Sequence, residues 1–233
     1  MIILHENMER EAKYASEVIK SVYTLDAKII LDELESLWIQ IDNTGKYCAC
    51  LSTIYPYIQD KYSNQCILLL SNRDFISIND WPDIDLGDWL FGFSAPEKNI
   101  AVVSGLRLKG NTSDIRTESE ISEELYKRRF QFIVVHELGH IVIEQSHYKE
   151  ALWKDVITGK ALPLGDHCDN NACAMYQTID VKTPDPRDEY LILRKDNKGE
   201  NKYDSGLDDV LDRMQKAGYN WLCSRCNRFK DIK

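Results

Sequence analysis

The sequence predicts an α+β fold: a mixed twisted sheet with helices around one central helix, followed by a smaller C-terminal lobe stapled by a metal. Three observations carry this. Strand and helix patterns alternate as far as Ser104; a long helix follows, opening near Ser119 or Ser122 and carrying the nearly all-apolar run Phe130 to Val135; and two cysteine pairs close the chain's last third. The expected organisation is one domain, with an upper lobe over 1–140, a connecting insertion over 141–166 and a lower lobe over 167–233.

The elements follow from spacing. Ile2 to Leu4 reads as a short strand, and Met8, Ala12, Ala15, Ile19 and Val22 recur at alternating intervals of four and three, which predicts a helix. Ala27 to Leu31 reads as a strand, and Leu34 to Ile41 is ambiguous between strand and helix. Leu51, Ile54, Tyr55 and Ile58 sit at helical spacing that Pro56 interrupts. Cys66 to Leu70 reads as a buried strand, and Ile100 to Ser104 as another between Asn99 and Gly105. The second of these is either an exposed edge on which an extended peptide pairs or an interior strand. Ser119 and Ser122 offer N-cap oxygens, and Glu123 and Glu124 suit a first turn. Phe130 to Val135 is apolar on nearly every face, as in a helix buried centrally. Further on, Thr183-Pro184-Asp185-Pro186 breaks the chain, Arg194 to Asp204 is polar enough for an exposed loop, and Leu207 to Ala217 repeats as a short amphipathic helix.

The central helix carries His136-Glu137-Leu138-Gly139-His140. Two histidines four apart lie on one helix face, one turn up, so both imidazoles can reach one Zn²⁺. The glutamate beside them can hold and deprotonate a water in an open coordination position. The chain has only five histidines, which makes a chance occurrence of this pattern a poor alternative. A catalytic zinc needs a third protein ligand, and two histidines compete. His147 lies seven beyond His140, about 10 Å along a continuing helix, so it serves only if the chain folds back at once. Ile141-Val142-Ile143-Glu144-Gln145 holds no glycine or proline for that turn. His167 follows Gly165 and opens a second cluster, which favours it.

That cluster, His167-Cys168-Asp169-Asn170-Asn171-Ala172-Cys173-Ala174-Met175, pairs with Cys223-Ser224-Arg225-Cys226. Spacings of Cys-x4-Cys and Cys-x2-Cys suit two halves of a four-thiolate tetrahedron around a structural zinc. Disulfides and buried unpaired thiols are the alternatives. Cys48, Cys50 and Cys66 are left over and read as buried small hydrophobes.

Together these residues resemble the archaemetzincin family of zinc metallopeptidases. The likeness runs through the His-Glu-x-x-His of 136–140, the His-Cys-x4-Cys-x-Met of 167–175 and the Cys-x-x-Cys of 223–226. Upstream it continues through Asn72-Arg73-Asp74-Phe75, Phe91-Gly92-Phe93, Ala101-Val102-Val103-Ser104, Arg107-Leu108 and Arg129. The resemblance implies a metzincin-like zincin fold with two Zn²⁺: one catalytic, held by His136, His140 and His167, and one structural, held by Cys168, Cys173, Cys223 and Cys226. It implies Glu137 as general base and Met175 as the methionine of the turn beneath the catalytic metal. The expected activity is hydrolysis of peptide bonds by a zinc-activated water. The stretch from Ile141 to Asp166, longer than in the family pattern, is then either a lid, with Leu152, Trp153, Val156 and Ile157 facing the cleft, or static packing. A catalytically inactive, zinc-stabilised binding or scaffold protein of the same fold is the competing reading. It does not account for Glu137, which a scaffold does not need.

Composition narrows the partners. The formal charge of -9 disfavours a nucleic-acid backbone or an anionic membrane, either of which calls for a basic face. A peptide or protein substrate is expected instead. Lys127-Arg128-Arg129 reads as a solvated helix face, with Arg129 available to an acid nearby, and Asp83, Asp85 and Asp88 as loop solvation. Tyr176 reads as a packing residue before an oxyanion donor. The start of the chain lacks a basic, long apolar leader, and seven cysteines beside metal-ligand spacings suit a reducing compartment, so a cytoplasmic setting is expected.

Overall fold

In the computed structural model the described residues are 1–32, 38–40, 47–63, 65–76, 91–110, 121–143, 149–154, 161–168, 170–176, 178, 181, 192–195, 201–203 and 206–230. The chain opens with β1 (Ile2–His5), α1 (Glu9–Tyr23), β2 (Lys28–Leu31), β3 (Trp38–Gln40), β4 (Tyr47–Cys50) and α2 (Leu51–Lys61). β5 (Ile67–Ser71), β6 (Asp74–Ile76), β7 (Gly92–Ala95) and β8 (Ile100–Ser104) lead to the long α3 (Glu123–Val142). β9 (Lys149–Lys154), β10 (Ala161–His167), β11 (Ile192–Lys195), β12 (Asn201–Tyr203), α4 (Leu207–Ala217) and α5 (Ser224–Arg228) complete it.

The main sheet has the order β2-β1-β5-β8-β7, parallel throughout except for β7, which runs antiparallel to β8 at the edge. β5 and β8 are buried at every residue, which explains their unbroken apolar runs: helices cover both faces. Ile3, Leu68, Leu70, Ala101 and Val103 face a core built with α1 and α3. Leu4, Ile67, Leu69, Ile100 and Val102 face Ile54, Tyr55 and Ile58 of α2 on the other side. Of the two positions open to Ile100 to Ser104, the interior one is observed, and the sheet edge belongs to β7.

Pro56 lies inside α2 and does not end it. Ser122 caps α3, its Oγ accepting from the Leu125 N–H at 3.2 Å, while Ser119 lies outside the described residues. Arg129 departs from a solvated face: it is fully buried, its Nε and Nη2 donating to the Asp208 carboxylate at 2.7 and 2.6 Å and Nη1 to the carbonyls of Leu108 and Gly110. Lys127 keeps an exposed pair with Glu17.

α3 stops two residues after His140 without glycine or proline. Ile143 turns extended (φ -107°, ψ 132°), donates its N–H to the Gly139 carbonyl and bridges to Lys230. A tertiary pairing ends this helix, so no local breaker was needed. β9 and β10 pair antiparallel in a second sheet, ordered β10-β9-β11-β12. The segment read as an exposed loop over Arg194 to Asp204 instead carries β11 and β12, paired Leu193 to Tyr203 through Lys195 to Asn201. Its polar residues hide no hydrophobic alternation, yet backbone ladder bonds form regardless of side-chain polarity. Val156, Ile157, Asp83, Asp85 and Asp88 lie outside the described residues, and β3, β4 and β6 make a small third sheet. Among the described residues no helix is long and apolar enough to cross a membrane.

Candidate metal centres

His136 and His140 project from one face of α3 four residues apart, as the helical period requires. His167 reaches them from the last position of β10, just after a bulge between Pro163 and Asp166 that contains Gly165. One coordinating atom from each of the three histidines lies within 4.8 Å of the other two. His147 lies outside the described residues.

The imidazole chemistry suits a cation. The His136 Nδ1–H donates to the Ala174 carbonyl at 2.7 Å, since a carbonyl can only accept; the neutral ring then carries its lone pair on Nε2. That atom faces His140 Nε2 at 3.2 Å. Donors around a Zn²⁺ with bonds of about 2.0–2.1 Å stand roughly 3.3 Å apart in a tetrahedron. Burial, with the neighbouring His136 adding to it, lowers the pKa of His140 to about 3, so the ring is neutral and able to ligate at neutral pH.

Glu137 is buried beside this group, and burial raises its pKa to about 7 against the opposing hydrogen bond from Ser94. The Ser94 Oγ lies 2.6 Å from Glu137 Oε2 and 2.7 Å from the Glu137 carbonyl oxygen. Gly139 meets Met175 directly: a Cβ there would overlap the Met175 sulfur, so only glycine lets the methionine pack against this turn of α3. Beneath it, the buried Tyr23 hydroxyl donates to the Val135 carbonyl at 2.6 Å.

The second group is all sulfur. Cys168, Cys173, Cys223 and Cys226 are buried and unbridged, their Sγ atoms within 4.8 Å of one another. Cys168 and Cys223 stand 3.8 Å apart, far beyond a disulfide and matching the edge of a tetrahedron with Zn–S bonds of about 2.3 Å. Backbone N–H groups of Asn170 and Cys223 donate to Cys168 Sγ and Cys173 Sγ at 3.4 and 3.3 Å, as suits thiolates. Hydrogen bonds from the three neighbouring thiols pull Cys223 below the usual thiol range. Both groups therefore fit a metal ion by donor type and spacing. Cys66 is free and half-buried away from them; Tyr176 is buried in the main core. The side chains of Cys48 and Cys50 lie outside the described ones.

Sequence reasoning missed Ser94, Gly92 as a neighbour of Glu137, and the Ala174 carbonyl. Gly92 figures only in the family likeness, as the glycine between Phe91 and Phe93, and a glycine so placed can mark a close approach.

No family profile matches the sequence, and no curated protein matches it. Among solved structures, a zinc-dependent peptidase from Methanocorpusculum labreanum aligns over 97% of this chain and 97% of its own, at 17% identity and a TM-score of 0.55. The chain shares that peptidase's fold. Archaemetzincins from Archaeoglobus fulgidus and Methanopyrus kandleri also align, over 98% and 97% of this chain and 99% and 91% of theirs, at 16% and 17% identity with TM-scores of 0.49 and 0.47.

Proposed function

We propose that this chain is a zinc-dependent metallopeptidase of the archaemetzincin type, acting on peptide or protein substrates. One observation carries the reading: three imidazoles, two from α3 and one from the end of β10, converge beside the buried Glu137 carboxyl of α3, in a fold shared with a zinc-dependent peptidase. His136, His140 and His167 would hold the catalytic zinc, and the four cysteines a structural one. Zinc at the histidines would polarise the scissile carbonyl and acidify a water.

The chain's own residues do the rest. Glu137 takes the proton from the water on a carboxylate oxygen and returns it to the leaving amine. The Ala174 carbonyl fixes the tautomer and plane of His136. In the antiparallel ladder, the Ser104 N–H donates to the Phe91 carbonyl, so Phe91, Phe93 and Ala95 turn their backbone groups toward β8. Gly92 and Ser94 turn theirs to the outer edge of β7, which no strand of the described residues occupies and where an extended peptide can pair.

Glu137→Gln tests the reading. The amide keeps shape but accepts no proton, so the variant should retain its metal content and melting temperature while cleavage of a broad peptide library falls at least a hundredfold. Equal cleavage by variant and parent removes Glu137 from the reaction. A parent that carries zinc but cleaves nothing in the library would favour the scaffold alternative.

A further inference from the structure

Gly92 and Ser94 are alternate residues of β7, so their side-chain positions share one face, and that face meets α3 at Glu137. The two residues treat the carboxyl group differently. The Ser94 hydroxyl holds Oε2 at 2.6 Å. A Cβ on Gly92 would come within 2.6 Å of Glu137 Cγ and 2.7 Å of Oε1, so the missing side chain is what leaves Oε1 its room. A hydroxyl carries one proton, and between the Glu137 carbonyl and an ionised Oε2 the charge-assisted bond is the stronger. A Cβ on Gly92 would also come 2.8 Å from the Val102 carbonyl oxygen of β8, so the strand pairing calls for glycine as well as the carboxyl group does.

We propose that Ser94 is a positioning residue for Glu137: its hydroxyl pins Oε2 so that Oε1, in the space left by Gly92, is the oxygen that receives the proton of the attacking water. Ser94 keeps its own proton throughout; Glu137 Oε1 gains one from water and gives it up to the leaving nitrogen. Because Gly92 and Ser94 also present their backbone groups to the outer edge of β7, unpaired among the described strands, the strand that fixes the base also sets the register of an extended substrate. Base and scissile amide are thereby referenced to one element. This inference rests on the peptidase reading above.

The test compares Ser94→Ala and Ser94→Thr with the parent in the full zinc-loaded chain, on one peptide selected from the library. Ser94→Ala should lose about ten- to a hundredfold in kcat, the worth of one hydrogen bond to a charged group. KM, zinc content and melting temperature should stay near the parent's. Ser94→Thr, which restores the hydroxyl on a β-branched residue suited to a strand, should recover most of kcat. An Ala variant within twofold of the parent in kcat overturns the proposal. So does a loss of kcat that travels with lost zinc or a lowered melting temperature, because Ser94 would then be structural. Should the parent cleave nothing, the peptidase reading fails by itself, and infrared spectroscopy reads the contact directly. The Glu137 carboxyl band, identified by its absence in Glu137→Gln, should shift in Ser94→Ala. A band that does not move overturns the positioning role.

Discussion

At the scale of single residues, the motif helix is constrained by what it must not carry. Gly139 lies between the two motif histidines, and a methyl group there would run into the Met175 sulfur and come 3.3 Å from the Tyr23 hydroxyl. Both neighbours are fully buried, so neither can swing away, and overpacking of this kind costs about 1–3 kcal/mol. Gly139→Ala should therefore lower stability in a urea titration, and adding Met175→Ala should recover part of the loss by removing the atoms in the way. Equal stability of Gly139→Ala and the parent would show that the methionine relocates freely. Such a constraint is only half legible in sequence. The paired histidines announce themselves through helical spacing, whereas the reason for glycine between them lies in a residue thirty-six positions downstream by number, which no local pattern connects to it.

At the scale of elements, legibility follows the source of each element's stability. α1, α4, β5 and β8 were readable because burial imposes a period, or an unbroken apolar run, that the sequence must display. β11 and β12 were not, since a polar hairpin is held by its ladder, and neither was the end of α3, which the bridge to Lys230 settles. The docking of α3 on α4 was half legible: an acid partner for Arg129 was expected, but not its identity or its burial. Arg129 is wholly buried and its guanidinium makes a bidentate pair with Asp208 at the start of α4, whose side chain stays about a quarter exposed. Removing Asp208 leaves a buried charge with only carbonyl partners, which costs on the order of 3 kcal/mol. Asp208→Ala should show that loss in denaturant unfolding, while Lys127→Ala, which breaks the exposed pair between α3 and Glu17 of α1, should change stability by less than about 1 kcal/mol. Similar losses for the two would mean that the buried pair contributes no more than a surface one.

At the scale of the whole molecule, the histidine and cysteine groups share one short segment. Residues 167–175 supply His167 to the first group, Cys168 and Cys173 to the second, Met175 against Gly139, and the Ala174 carbonyl that orients His136. The segment is folded back on itself by the Cys168 N–H to Met175 carbonyl bond at 2.8 Å and tied to the C-terminal region by the Ala174 N–H to Trp221 carbonyl bond at 2.8 Å. A cation gripped by the cysteines therefore fixes His167 and Ala174 at one bond's remove, and occupancy of one group should raise affinity at the other. Linkage requires the coupling to be equal in both directions. Cys226→Ser and His140→Ala test this cleanly because neither residue lies in the shared segment. Each should weaken metal binding at the opposite group by the same factor, about tenfold or more. Cobalt reports on the two groups separately, since thiolate-to-metal charge transfer marks only the cysteines, and competition with a chelator gives each affinity. If Cys226→Ser leaves the histidine group's affinity unchanged, the segment is rigid without metal and the two groups bind independently.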